Sequence, residues 1–164
     1  MNSITIIIII LVAAMVIGPV AMMRPSPAQK RREAIRAYAF KQGLGVTVRR
    51  PPQIPTDLDA PSLLPAYTIK IKGGEGWALR RASYKHESHV AQHWHLVQGA
   101  LSASSEAFLN ARLPDLSARI VAITSATGEL AVLWHESHEP ADVEGVRNFL
   151  VALAEVEQAR IIRS

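Results

Sequence analysis

The chain contains no cysteine among its 164 residues. No disulfide framework ties it to an oxidising compartment, and a cysteine nucleophile is excluded. Aromatic residues make up only 5% of the chain, and the C-terminal two thirds has no basic stripe interleaved with them. A surface that would stack bases and neutralise phosphates is therefore missing, and no nucleic-acid partner is expected. No G-x-S-x-G elbow, P-loop or dinucleotide-binding fingerprint occurs. The glycine-rich "GGEG" at 73–76 lies between two β-prone runs instead of opening a helix, so a turn explains it better than a phosphate cradle.

Polar residues are also missing from one long stretch. Residues 4–23 read "ITIIIIILVAAMVIGPVAMM", with Thr5 as the one polar side chain. Twenty helical residues at about 1.5 Å each span about 30 Å, the thickness of a bilayer's hydrocarbon core. A buried helix of a water-soluble domain normally keeps a polar face. The stretch therefore reads as a transmembrane anchor over 1–24. The leading "MNS" has no basic residue, and "MMRPSP" does not have the form of a cleavage site, which argues against a removed signal peptide.

Charge is unevenly placed. Residues 24–50 carry a net charge of +7 and residues 51–164 a net charge of −3. With all the early basic residues on one side of the apolar run, the positive-inside rule predicts the bacterial inner membrane, N-terminus outside and C-terminal body cytoplasmic. Arg24, Lys30, Arg31, Arg32 and Arg36 are then candidates for contact with anionic lipid headgroups, each contributing about 1 kcal/mol close to the surface. Ser26, Pro27 and Gln29 form a helix-start signature and Gly43 a stop, so 25–45 reads as a basic juxtamembrane helix, resting on the membrane or packing on its own domain.

Five prolines fall within 51–65. Residues 46–66 are either a Pro-rich linker or an edge segment of the following domain, with 46–50 as an edge strand in the second case. From 67 the pattern is strand (67–72), the "GGEG" turn and strand (77–84), which together predict a hairpin. A helix over 100–113 follows, then strands at 118–124 and 130–136. A last helix carries Val143, Val146, Phe149, Leu150, Leu153 and Val156 at helical spacing. The fold class expected is α+β: an N-terminal transmembrane helix, then, over 67–164, a small mostly antiparallel sheet covered on one face by two helices.

All six histidines lie in "KHESHVAQHWH" (85–95) and "WHESH" (134–138). His86, His89, His93, His135 and His138 are candidate ligands for zinc or another divalent transition metal, since imidazoles at three- and four-residue spacing share a helix face. His95 would join His93 on one face of a strand. The protease pattern H-E-x-x-H is not met, because "HESH" is one residue short. Both runs follow apolar strands, where polar residues are ordinary as the chain meets solvent. Four matching residues do not establish an internal duplication. Convergence of the two runs would require the ends of 77–84 and 130–136 to lie side by side. Ser104 or Ser105 would serve a hydrolase only with a histidine to orient it.

The order of short N-terminal tail, apolar helix, basic flank and small α+β body resembles uncharacterised proteobacterial single-pass inner-membrane proteins. In layout it is similar to the small accessory subunit of the Sec preprotein translocase. The likeness covers residues 1–45 and implies topology alone; the glycine-rich β motifs of that subunit have no match in 46–164. The function expected is an accessory or assembly subunit, non-catalytic and without a cofactor, whose cytoplasmic domain binds an integral-membrane or cytoplasmic protein. The alternatives are a metal-binding domain built on the histidines and a membrane-tethered hydrolase.

Overall fold

The structure is a computed structural model that describes residues 2–22, 26–55, 62–137 and 139–162. The chain divides into two units, 1–33 and 34–164. In the first, Ser3–Met22 forms helix α1. Among the described residues no helix is long and apolar enough to cross a membrane. This corrects the transmembrane anchor, the single-pass topology, and the inner-membrane location with its outside N-terminus and cytoplasmic body. Without a span among the described residues, the charge asymmetry assigns no orientation.

Helix α2 (Pro27–Lys41) opens with a reciprocal cap. The Ser26 amide donates to Gln29 Oε1 at 2.7 Å and the Gln29 amide to Ser26 Oγ at 3.2 Å, which satisfies two of the helix's free N-terminal donors. Its later turns bury Ile35 and Ala39 in the core of the second unit. The juxtamembrane helix of the sequence reading is thus in part a core element.

The second unit is α+β. Strands β1 (Gly45–Arg49), β2 (Leu64–Lys72), β3 (Trp77–Arg81), β4 (Trp94–Gln98), β5 (Ile120–Ala126), β6 (Glu129–Trp134) and β7 (Arg160–Ile161) are joined with helices α3 (Ala103–Arg112) and α4 (Pro140–Val156). The sheet order is β1-β2-β6-β5-β3-β4, with β7 pairing the far end of β2, and every pairing is antiparallel. Between 46–50 as stalk or as edge strand, the pairing Val46↔Tyr67 decides for the edge strand.

The hairpin expected across "GGEG" does not form. β2 pairs with β1 and β6, while β3 pairs with β5 and β4. Gly73 and Gly74 both hold positive φ, 99° and 92°, conformations that side chains with a Cβ resist. They turn the chain out of β2 and past two intervening strands. The hairpin that does form is β5–β6, closed at Thr127-Gly128.

Alternation sorts the strands into two faces. Tyr67, Ile69, Ile71, Trp77, Leu79, Ile123, Leu130, Val132 and Trp134 point into one core with α2, α3 and α4. Each fully buried side chain of this size contributes about 1.5–3 kcal/mol. Three helices therefore share that face, where two were expected. On the opposite face, Ala66, Ala122, Ala131 and Leu133 form their own buried cluster.

Candidate functional site

The two "HESH" runs occupy different surroundings. In the second, Glu136 follows β6 and turns inward, its side chain 6% exposed. Arg36 of α2 grips it with two hydrogen bonds, Nε to Oε1 at 2.7 Å and Nη2 to Oε2 at 2.8 Å. The Tyr67 hydroxyl donates to the same Oε1 at 3.0 Å. A bidentate guanidinium–carboxylate pair with a third donor offsets the cost of removing the charge from water. The Glu136 bonds raise the pKa of Arg36 further. Burial, then the Glu136 charge, pushes the Tyr67 phenol well above its ordinary range, so it stays a donor. The next residue, Ser137, accepts from the Glu139 amide at 3.2 Å just before α4. His135 is exposed and His138 lies outside the described residues. This run anchors α2 and introduces α4.

In the first run the chain leaves β3 into a loop, 82–93, that returns as β4. Backbone bonds fold the loop on itself: Ala82 N to His93 O at 2.7 Å, His86 N to Gln92 O at 3.0 Å, and Val90 paired with Trp94 in both directions. Ala91 and Gln92 hold positive φ, 44° and 67°, which costs non-glycine residues free energy and requires support from outside. Asn110 of α3 supplies it, its Oδ1 accepting from the Ala91 amide at 2.7 Å.

The imidazoles of this loop gather around one residue. His89 is 8% exposed; its ring lies 5.4 Å from His86 and 5.2 Å from His95, centroid to centroid. His89 Nε2 and His95 Nδ1 share a hydrogen bond of 3.2 Å, while His89 Nδ1 is buried with no partner. His86 Nδ1 receives both the Ser88 hydroxyl and the Ser88 amide, at 2.8 and 3.2 Å. Burial, with the charges that His95, His86 and His93 would carry, lowers the pKa of His89.

Among the described residues, no group of three or more His, Cys, Asp or Glu side chains is placed to hold a metal ion. The topology explains why the two runs stay apart. β3 and β6 run in the same direction but β5 lies between them, a separation of about 10 Å at 4.8 Å per strand. His135 therefore does not join His86 and His89. The His89–His95 nitrogen pair by itself supplies two of the four ligands of a tetrahedral site. His95, which the sequence reading placed only on a strand face with His93, proves to be the direct partner of His89.

The serines cap a helix. Ser102 Oγ accepts from the Ser105 amide at 3.2 Å at the start of α3, and lies 3.0 Å from both the Ser104 and Ser105 hydroxyls. Ser105 is 1% exposed. Glu157, which lines one depression with these serines, accepts from Trp77 Nε1 at 2.6 Å and from Ser125 Oγ at 3.1 Å. Burial raises its pKa although both donors act against the rise. No sequence signal marked Glu157; only its position just past α4 brings it to Trp77.

Of the basic residues expected at a membrane surface, Arg24 lies outside the described residues and Lys30, Arg31 and Arg32 are exposed on α2. Arg36 is instead engaged with Glu136.

Two depressions bear on function. One is a cleft of about 490 Å³ over the helix-free face of the sheet, with Ala78, Thr124 and Leu133 in its floor and Arg49, Arg50 and Pro52 at its side. The Pro-rich segment after β1 thus turns back along this face, burying Pro51 and Ile54. Arg49 also pairs with Glu129, Nη2 to Oε2 at 3.0 Å, whereas Arg50 is exposed. The other depression, about 610 Å³, lies against the histidine loop and includes Arg81, Lys85, His89, His93, Trp94 and Asn110. No family model matches the chain, and neither does any curated protein or solved structure.

Proposed function

We propose that residues 34–164 form a non-catalytic protein-binding domain that holds an extended, acidic segment of a partner along the helix-free face of the sheet. The cleft between the Pro-rich segment and the strands carries this reading. Its floor of Ala78, Thr124 and Leu133 lets another backbone approach closely, and the exposed Arg50 at its side favours a carboxylate-bearing segment over a basic one. Thr124, Gln98 and Thr127 add side-chain hydrogen-bonding groups along the same cleft. The strongest polar constellations of the domain point the same way. Arg36–Glu136–Tyr67 and Trp77–Glu157–Ser125 are saturated by one another and act as fasteners, since a group committed to a satisfied buried network is not free to move protons to a substrate.

The reading is tested by placing a photo-crosslinking amino acid at Gln98 or Thr127 in the full-length protein in cells. A single defined heteromeric product is expected, lost when Ala126→Trp fills the cleft and weakened by Arg50→Glu. No defined product, or one composed only of this chain, rejects a heterologous partner at this face.

A further inference from the structure

The depression beside the histidine loop has a chemistry of its own, independent of the cleft on the sheet. Its lining contains two basic side chains, Arg81 and Lys85, two imidazoles, His89 and His93, and no carboxylate. The one acid of the loop, Glu87, lines the adjoining depression with Lys85, His86 and Gln92. Arg81 is held from behind: its guanidinium lies 5.8 Å from the Trp94 ring centroid and Nη1 donates to the Ser117 carbonyl at 3.3 Å. The remaining donors of its planar fork are preorganised for an anion. Lys85 is exposed, in no hydrogen bond or ion pair among the described residues.

His89 supplies the second line of argument. It is more than nine-tenths buried, it lines this depression, and its Nδ1 has no partner. Where His95 Nδ1–H donates to His89 Nε2, a neutral His89 carries its proton on Nδ1, a buried donor left over. A buried polar group without a partner costs about 1–3 kcal/mol, and it persists most readily where a ligand completes it. The loop is also braced before any ligand arrives, since the positive φ of Ala91 and Gln92 is held by Asn110.

We infer that this pocket binds an oxyanion of the phosphate class, with Arg81 and Lys85 neutralising its charge and His89 and His93 donating hydrogen bonds. A dianionic, tetrahedral group matches four donors arriving from different directions, whereas a planar monoanionic carboxylate uses only part of the set.

Calorimetric titration of the full-length protein at low salt and pH 7 tests this with inorganic phosphate, O-phosphoserine flanked by alanines, and acetate. Saturable one-site binding of phosphate is expected, with acetate much weaker. The double variant Lys85→Gln, His93→Gln alters two side chains outside the core and should weaken phosphate binding about tenfold, a loss of about 1.4 kcal/mol, with unchanged thermal unfolding in phosphate-free buffer. His89→Phe keeps the ring volume, removes the donor and should weaken binding similarly. Tighter binding of the phosphoserine peptide than of free phosphate assigns the group to a modified protein segment; equal binding assigns it to a small free anion. Absence of saturable binding, acetate binding as tightly as phosphate, or affinity unchanged in the double variant overturns the inference.

Discussion

Arg36 and Glu136 stand one hundred residues apart in the chain and meet in a two-pronged ion pair at 2.7 and 2.8 Å, with the Tyr67 hydroxyl as a third member. The pair fastens α2 to the end of β6. It also withdraws Arg36 from the basic surface on which its neighbours lie.

Removing one partner leaves the other stranded. Arg36→Ala exposes the nearly buried Glu136 to an unbalanced charge, tempered by the part of Arg36 that already faces water, and should destabilise the domain by about 2 kcal/mol. Glu136→Ala should cost a similar amount because Tyr67 loses its acceptor. The two losses should not add. A double-mutant cycle by urea denaturation checks this, and an interaction energy near zero would show that the pair contributes nothing beyond its separate side chains.

His89 makes stability depend on pH with a definite sign. Its folded-state pKa is lowered, first by burial and then by the neighbouring imidazoles. The unfolded chain, with an ordinary histidine pKa of about 6.5, takes up that proton more readily. The contribution of His89 is therefore fully present above about pH 6.5 and is lost as pH falls below it. Urea midpoints measured at pH 7.5 and 5.5 should drop for the wild type and drop less for His89→Phe. An equal drop in both proteins would place the pH sensitivity elsewhere.

Glu157 carries the opposite sign. Its pKa is raised by burial, so the native state holds the proton more tightly than the unfolded chain. The associated stability is present at acid pH and is lost as pH rises from about 4.5 through the folded pKa. Glu157→Gln keeps an acceptor for Trp77 and removes the buried charge. It should be at least as stable as wild type at pH 7, with the advantage shrinking at pH 4. Glu157→Ala should lose about 1–3 kcal/mol at pH 7, because the Trp77 N–H is left unpaired. Thermal unfolding of the three proteins at both pH values separates these outcomes.

Two glycines with positive φ should respond differently to alanine. At Gly128 (φ 96°) an added Cβ meets nothing within 4 Å, while at Gly99 (φ 76°) it would sit 2.0 Å from the Gly76 carbonyl oxygen. Gly128→Ala should cost about 1 kcal/mol for conformation alone. Gly99→Ala adds a backbone collision and should cost at least about 3 kcal/mol or prevent folding. Chemical denaturation of both variants measures the difference, and equal losses would mean that the chain between β4 and α3 yields freely.

Local periodicity was readable in the chain. The alternation in 67–72, the apolar run at 118–124 and the helical spacing of Val143, Val146, Phe149, Leu150 and Leu153 correspond to β2, β5 and α4. β4 was not readable, because its central residues are only half-buried and it begins inside the histidine cluster, where polar side chains masked the strand. The apolar run near the N-terminus was equally plain in composition. Its reading as a membrane span was not upheld, since no described helix meets the length and hydropathy that a span requires.

The sequence by itself determined where β2, β5 and α4 form and which face of each is apolar, because those depend on neighbours within a few residues. Tertiary structure alone decided which strands pair, which charges meet and which histidines touch. "GGEG" looks like a hairpin turn yet leads β3 to the far side of β5 and β6. The same four letters, "HESH", form an inward anchor in one place and supply a single buried imidazole, His89, to a basic pocket in the other. A short polar motif takes its role from the surfaces packed against it, and those surfaces come from parts of the chain that local spacing does not describe.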